Sequence, residues 1–162
     1  MRYLPKSVRM SAGVFTAGLT LAMASTTLEG CSRPIERNVA MRRTVDAPIP
    51  GNLPISAAVV AGGLCFVGAQ FGTDADNRPV GDVERQTALA LDHLEAVLKK
   101  AGTRLDLVVR ATVWLRSLDD FDAMNRAYRV RFPESPPARV TVAVANILFG
   151  AAVEIDAVAA MP

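Results

Sequence analysis

Metal-ligating and redox-active side chains are scarce in this chain, which has one histidine and two cysteines among 162 residues. Zinc sites need three or four converging ligands, and His93 has neither a second histidine at helical spacing nor a cysteine beside it. No metal is expected. Cys31 lies in a polar stretch and Cys65 in an apolar run, so a disulfide between them is not expected. Cys65 is read as a buried, inert thiol. A surplus of one charge is missing too. The net charge is only +2, and Arg2, Lys6, Arg9 and Glu29 account for all of it. Binding nucleic acid takes a surplus of Lys and Arg to neutralise phosphates, so no nucleic-acid partner is expected. Arg126, Arg129 and Arg131 recur at helical spacing and are read as a solvated helix face.

A membrane-spanning run is also lacking. Residues 10–28 carry no charge, but Ser11, Gly13, Thr16, Gly18, Thr20 and Ser25 dilute them, and a spanning helix needs about 20 strongly apolar residues. Arg2, Lys6 and Arg9 ahead of that stretch give the layout of an export signal. It ends in Leu28-Glu29-Gly30-Cys31, which resembles the lipobox of bacterial lipoproteins, with Cys31 as the residue to be lipidated. Glu29 departs from that pattern, and ordinary cleavage near Ala24 or Ser25 is the alternative. The expected organisation is an export signal over 1–30, a polar tether over 31–40 and one domain over 41–162, a usual domain length. The expected location is the periplasmic side of a bacterial membrane, as a lipoprotein held only through Cys31, or free after export.

The domain reads as α+β. Strands are expected at 42–45, 57–61 and 64–70, the last two joined by Gly62-Gly63, which supplies the positive φ angles of a tight hairpin turn. Asp82 caps a helix carrying Ala90, Leu91, Leu94, Val97 and Leu98 at spacings of three and four, and Gly102 stops it. A Val- and Thr-rich strand at 107–115 follows, with Trp114 read as core. Ser117 with Asp120 resembles a capping box opening a second helix, whose stripe is Phe121, Met124, Tyr128 and Phe132. Strands at 139–145 and 152–159 close the domain. The order is β-β-β-α-β-α-β-β, with about six strands and two helices on one face of the sheet. The other face would carry Val140, Val142, Val144, Val153 and Ile155 or their alternates. Exposing that much apolar surface is costly, so an oligomer is inferred.

Arg139 and Glu154 are polar residues on otherwise apolar strands, where a buried charge is costly unless paired or used. A guanidinium suits a carboxylate ligand, and a held carboxylate can position or deprotonate water. A structural ion pair, or edge charges against aggregation, would use the same residues.

From Val45 onward the chain resembles the reactive intermediate deaminase family, Rid, also called YjgF-like. The segments 58–64 and 66–70, Asp120-Phe121 with Asn125 and Tyr128, Pro137-Ala138-Arg139, and Val153-Glu154-Ile155-Asp156-Ala157 carry the resemblance. It implies a chorismate-mutase-like subunit, a homotrimer with clefts between subunits, and hydrolysis of small enamine or imine carboxylates to keto acids and ammonia. It implies no metal or organic cofactor. Arg139 would bind the carboxylate and Glu154 would hold the attacking water, with Ile55, Gly68, Ala69, Asn125 and Thr141 lining the pocket. The family's loop tyrosine is Ile55 here, its Ser-Gly-Gln strand reads Gly68-Ala69-Gln70, and its usual cysteine is Thr141. These losses, together with export, keep a second reading open: a non-catalytic, membrane-tethered trimeric module that binds carboxylate metabolites or a protein partner.

Overall fold

A computed structural model describes residues 42–47, 49 and 53–162. The export signal, the tether and the lipidation residue Cys31 lie outside the described residues. Within them the order β-β-β-α-β-α-β-β holds: β1 (Arg43–Val45), β2 (Ala58–Ala61), β3 (Leu64–Phe71), α1 (Val83–Ala101), β4 (Val108–Leu115), α2 (Phe121–Arg131), β5 (Ala138–Ala143) and β6 (Val153–Ala160). Local chemistry explains several boundaries. Gly62 and Gly63 turn the β2–β3 hairpin at φ 59° and 77°, angles that cost a residue without Cβ nothing. The Asp82 side chain accepts the Arg85 N–H at 2.9 Å, and Gly102 closes α1 in the left-handed conformation. Ser117 acts differently from expectation. Its hydroxyl accepts from Asp119 N–H at 3.1 Å and opens the 3-10 turn Leu118–Asp120, so α2 starts only at Phe121 and Asp120 makes no capping bond.

The described strands form one sheet in the order β1-β2-β3-β6-β4-β5. β6 does not pair with β5. It lies antiparallel between β3 and β4, and β5 runs parallel to β4 at the edge. A parallel pair needs a crossover, and α2 supplies it.

Both helices pack on one face. Val153, Ile155, Ala157 and Ala159 point into that layer against Leu91, Leu94 and Leu98, all at most 2 % exposed, and each fully buried aliphatic side chain contributes about 1.5–3 kcal/mol. Cys65 is fully buried there, and desolvation pushes its thiol pKa up. Val153 and Ile155 therefore belong to the core, and their alternates Glu154, Asp156 and Val158 face the other side. Register places Trp114 there beside Glu154 and Val142, not in the main core, with Thr112 beside Asp156 and Phe66 beside Val158. That open face mixes apolar surface with two carboxylates, where a predominantly apolar surface was expected. Phe66 and Val140 remain 46 % and 44 % exposed on it.

The arginines of α2 are not merely solvated. Arg126 pairs with Glu84 at 2.8 Å and Arg131 bridges Asp92 and Glu95, so two of the three link α2 to α1. Exposed pairs of this kind are worth at most about 1 kcal/mol each.

Tighter coupling comes from Gln86, which is buried. Its amide donates to Gly81 O at 2.9 Å and its oxygen accepts the buried Ala152 N–H at 2.8 Å, tying the start of α1 to the entry of β6. A Cβ on Gly72 would stand 2.3 Å from the Gln86 backbone, so only glycine lets the end of β3 approach the helix. Gln86→Leu should leave the Ala152 N–H unpaired and lower stability by about 1–3 kcal/mol, seen as a lower urea midpoint at unchanged slope. Gly72→Ala should lose a similar amount through overpacking, about 1–3 kcal/mol.

Candidate functional site

Pro136 and Pro137 lead directly into β5, and Arg139 is its second residue. Register opposite Ala111, a core-facing residue, turns Arg139 toward the helices. Its Nη2 donates to Asn125 Oδ1 at 2.7 Å, its Nη1 lies 3.7 Å from Met124 Sδ, and its Cζ sits 4.5 Å from the Tyr128 ring centroid and 5.8 Å from that of Phe121. All four partners lie on one stripe of α2, since residues three, four and seven apart share a helix face. Arg139 is half-buried, and no carboxylate of the described residues pairs with it. Thr141 follows on the same side of the strand, and its hydroxyl and that of Tyr128 are buried without a partner. Burial raises the Tyr128 pKa to about 12, against an opposing pull from the Arg139 charge. The phenol stays neutral.

Glu154 stands on the other side of the sheet, in register with Trp114 on one neighbour and Phe71 on the other. Asp156, two residues on and on the same face, accepts the Trp114 indole N–H at 2.8 Å. Partial burial raises the Glu154 pKa, and the nearby Asp156 carboxylate adds to the rise. Phe71 closes this region with Ile147, Ala151 and an edge-on contact to Phe149, ring centroids 5.3 Å apart. Gly68 and Ala69 lie in an irregularity of β3 between Val67 and Gln70. Gly68 N–H donates to Ala57 O at 2.9 Å, which docks the segment following Ile55 onto the same strand; the Ile55 side chain itself is 54 % exposed.

The expected residues thus fall into two groups. Arg139, Asn125 and Thr141 belong to β5 and α2; Glu154, Gly68 and Ala69, with the loop bearing Ile55, belong to β3 and β6. A direct hairpin between the last two strands would have put Arg139 and Glu154 on one face. The structure puts them on opposite faces with β4 between, roughly 14 Å apart from strand spacing and a three-residue offset. One copy does not join them. A cavity of about 400 Å³ lies beside α1, lined by Ala69, Phe71, Thr73, Asn77, His93 and Lys100; it takes in Ala69 but neither Arg139 nor Glu154. His93 serves packing there, its Nδ1–H donating to Phe71 O at 3.0 Å.

Comparison with known proteins places this architecture. The family model described as Endoribonuclease L-PSP matches residues 47–161. The chain belongs to this family. A RutC family protein of Pyrococcus abyssi is 37% identical over 118 residues, covering 72% of this chain and 92% of the relative. Among solved structures, the Rid-family protein of unknown function YyfA from Yersinia pestis superposes with TM-score 0.69 at 30% identity, covering 74% of this chain and 99% of that one. E. coli TdcF with bound serine gives TM-score 0.68 at 25% identity, covering 74% and 99%. The matched region therefore takes in β2 to β6 with both helices, and β1 lies just before it.

Two aromatic residues beside Arg139 were legible only as core. Phe121 and Tyr128 fell on the expected apolar stripe, and nothing local marked them as neighbours of a charge. Asp156 did carry a signal, since residues two apart on a strand share a face and Glu154 was already singled out.

The raised Glu154 pKa has a consequence for stability. The folded protein holds this proton more tightly than the unfolded chain, so the contribution is full below the ordinary value of 4.5 and is lost as pH rises through the raised one. Glu154→Gln should therefore raise the melting temperature at pH 7. The gain should vanish toward pH 4 in a calorimetric pH series.

Proposed function

We propose that this L-PSP and Rid family member hydrolyses small imine or enamine carboxylates to keto acids and ammonia. The carrying observation is Arg139, a half-buried guanidinium steadied by a neutral amide and aromatic rings, with no carboxylate partner among the described residues. Such a charge is costly to bury, and an arriving carboxylate supplies the missing counter-ion through the planar fork. A relative supports the ligand class: the solved TdcF holds serine, itself a small carboxylate. Two of the three arginines of α2 give RNA cleavage no support, because Arg126 and Arg131 are paired with carboxylates rather than offered to phosphates.

In this reading Glu154 completes the site from a second copy. Its two halves lie on different strands and opposite faces, so a head-to-tail contact brings Arg139 of one subunit toward Glu154 of the next, and such contacts close into a ring. Three copies are the expected ring. The exposed Phe66 and Val140 of the open face gain cover in the same step. Arg139 holds the substrate carboxylate. Glu154 holds a water and takes a proton from it as the water oxygen bonds to the imine carbon, while the C=N π pair moves to nitrogen. That proton passes to nitrogen to give a carbinolamine; its hydroxyl proton then passes to nitrogen by way of Glu154 while the O–H pair forms the C=O, the C–N bond breaks with its electrons, and ammonia leaves behind a carbonyl. The rise in the Glu154 pKa suits such a shuttle in direction, because it makes the carboxylate a stronger proton acceptor.

Arg139→Ala should reduce ammonia release from an imino acid generated in situ by at least about 100-fold, as loss of an anchoring charge does, with the particle size in light scattering unchanged. Arg139→Ala and Glu154→Ala subunits, each inactive alone, should regain about a quarter of the wild-type rate when co-assembled in equal amounts, because that share of shared sites is intact. No recovery on mixing would place both groups in one subunit or remove them from the chemistry. The replacement of a phenol by the exposed Ile55 favours one other reading, a carboxylate-binding module without turnover. Saturable keto-acid binding with no acceleration of imine hydrolysis would select it.

A further inference from the structure

We propose that Tyr128 is a positioning residue for Arg139, its ring supporting the guanidinium from the face so that the in-plane donors stay open to a ligand carboxylate. The proposal rests on Arg139 as the carboxylate anchor and adds what keeps that anchor ready.

A half-buried guanidinium can be stabilised in two ways. A protein carboxylate would neutralise it, but would occupy the same two parallel N–H bonds that a substrate carboxylate needs. An aromatic ring acts through its quadrupole on the flat face of the group and consumes no N–H at all. The chain uses the second way. The Tyr128 ring centroid lies 4.5 Å from Cζ of Arg139, with Phe121 farther off at 5.8 Å. Of the five guanidinium N–H donors, Asn125 takes one at 2.7 Å and Met124 Sδ stands near another at 3.7 Å. The others have no partner in the described structure.

The phenol hydroxyl does not share in this work. It is buried without a hydrogen-bond partner, an arrangement that costs stability. Tyr128 itself is fixed: it is 5 % exposed and packs on Phe132, ring centroids 4.7 Å apart. A platform that cannot move preorganises a flexible side chain, and Arg otherwise loses substantial rotamer entropy when it binds. The functional part is therefore the ring, with the hydroxyl dispensable.

The test compares Tyr128→Leu, Tyr128→Phe and Phe121→Leu in the full-length protein. Pyruvate serves as an unreactive carboxylate in calorimetric binding, and an in situ imino acid and its neutral amide serve as substrates. Tyr128→Leu should weaken pyruvate binding and raise KM for the imino acid about 5- to 30-fold, the range for a partly desolvated cation on a ring. The neutral amide, having no carboxylate to anchor, should be hydrolysed as in wild type. Tyr128→Phe should restore wild-type binding, and Phe121→Leu should weaken it about two- to five-fold, as for a more exposed ring. The Phe121 variant alters a partly exposed residue and keeps the proposal open to refutation if Tyr128→Leu does not fold. Unchanged pyruvate affinity in folded Tyr128→Leu, or in Phe121→Leu where that variant fails, would overturn the proposal. So would a Tyr128→Phe loss equal to that of Leu, or an equal loss on the neutral amide. If wild type binds pyruvate with this ring dependence but accelerates no hydrolysis, the deaminase reading fails and the positioning role stands. If wild type does neither, both fail.

Discussion

The alternation of β6 is the constraint on which the rest of the domain depends. Val153, Ile155, Ala157 and Ala159 are consumed by the core under the helices, and a one-residue slip would send Glu154 and Asp156 into that layer in their place. Two carboxyl groups among leucines would have to be buried neutral and without hydrogen-bond partners, a cost that is large against the domain's small margin of stability. Register is therefore held by burial on one face alone, and the polar content of the other face follows from it. Because β6 sits between β3 and β4, any error in its register would pass to both neighbours at once.

That central position also explains why the charges are divided. β5 is an edge strand joined to the sheet only through β4, and α2, as its crossover, lies directly over Arg139. Glu154 lies two strands further in, beyond β4, and on the reverse face. The same geometry that builds the core in one copy leaves Arg139 without a carboxylate and Glu154 without a cation among the described residues. Desolvation already raises the Glu154 pKa.

Support for Arg139 comes from residues that also serve the core. Met124 and Tyr128 are buried beneath α2 while touching the guanidinium, so packing and positioning are coupled through one helix stripe. Gln86 performs a comparable double task at the other end, satisfying Ala152 N–H just before β6 begins. The strand that carries Glu154 is thus anchored by a helix amide, and the strand that carries Arg139 is roofed by a helix face.

Local chemistry was legible from the residues themselves. The Gly62-Gly63 turn, the Asp82 cap, the Gly102 stop, the fate of Cys65 and the order of elements depend on neighbours within a few positions, and each formed where expected. Ser117 shows the limit, since a 3-10 turn and an α-helix compete for the same cap with similar local energies. Arg139 and Glu154 stood out as polar residues on apolar strands, and the resemblance to a family gave them roles in one site. What no local pattern contained was the pairing across the sheet: that Trp114 faces Asp156, that Arg139 looks at α2, and that Glu154 looks the other way. Those facts come from the register of strands far apart in sequence. The amino-acid order by itself determined which segments are strands and helices and which residues are chemically able to act. Only the tertiary structure decided which of them meet, because burying the alternate residues of β6 chooses a face for every strand beside it.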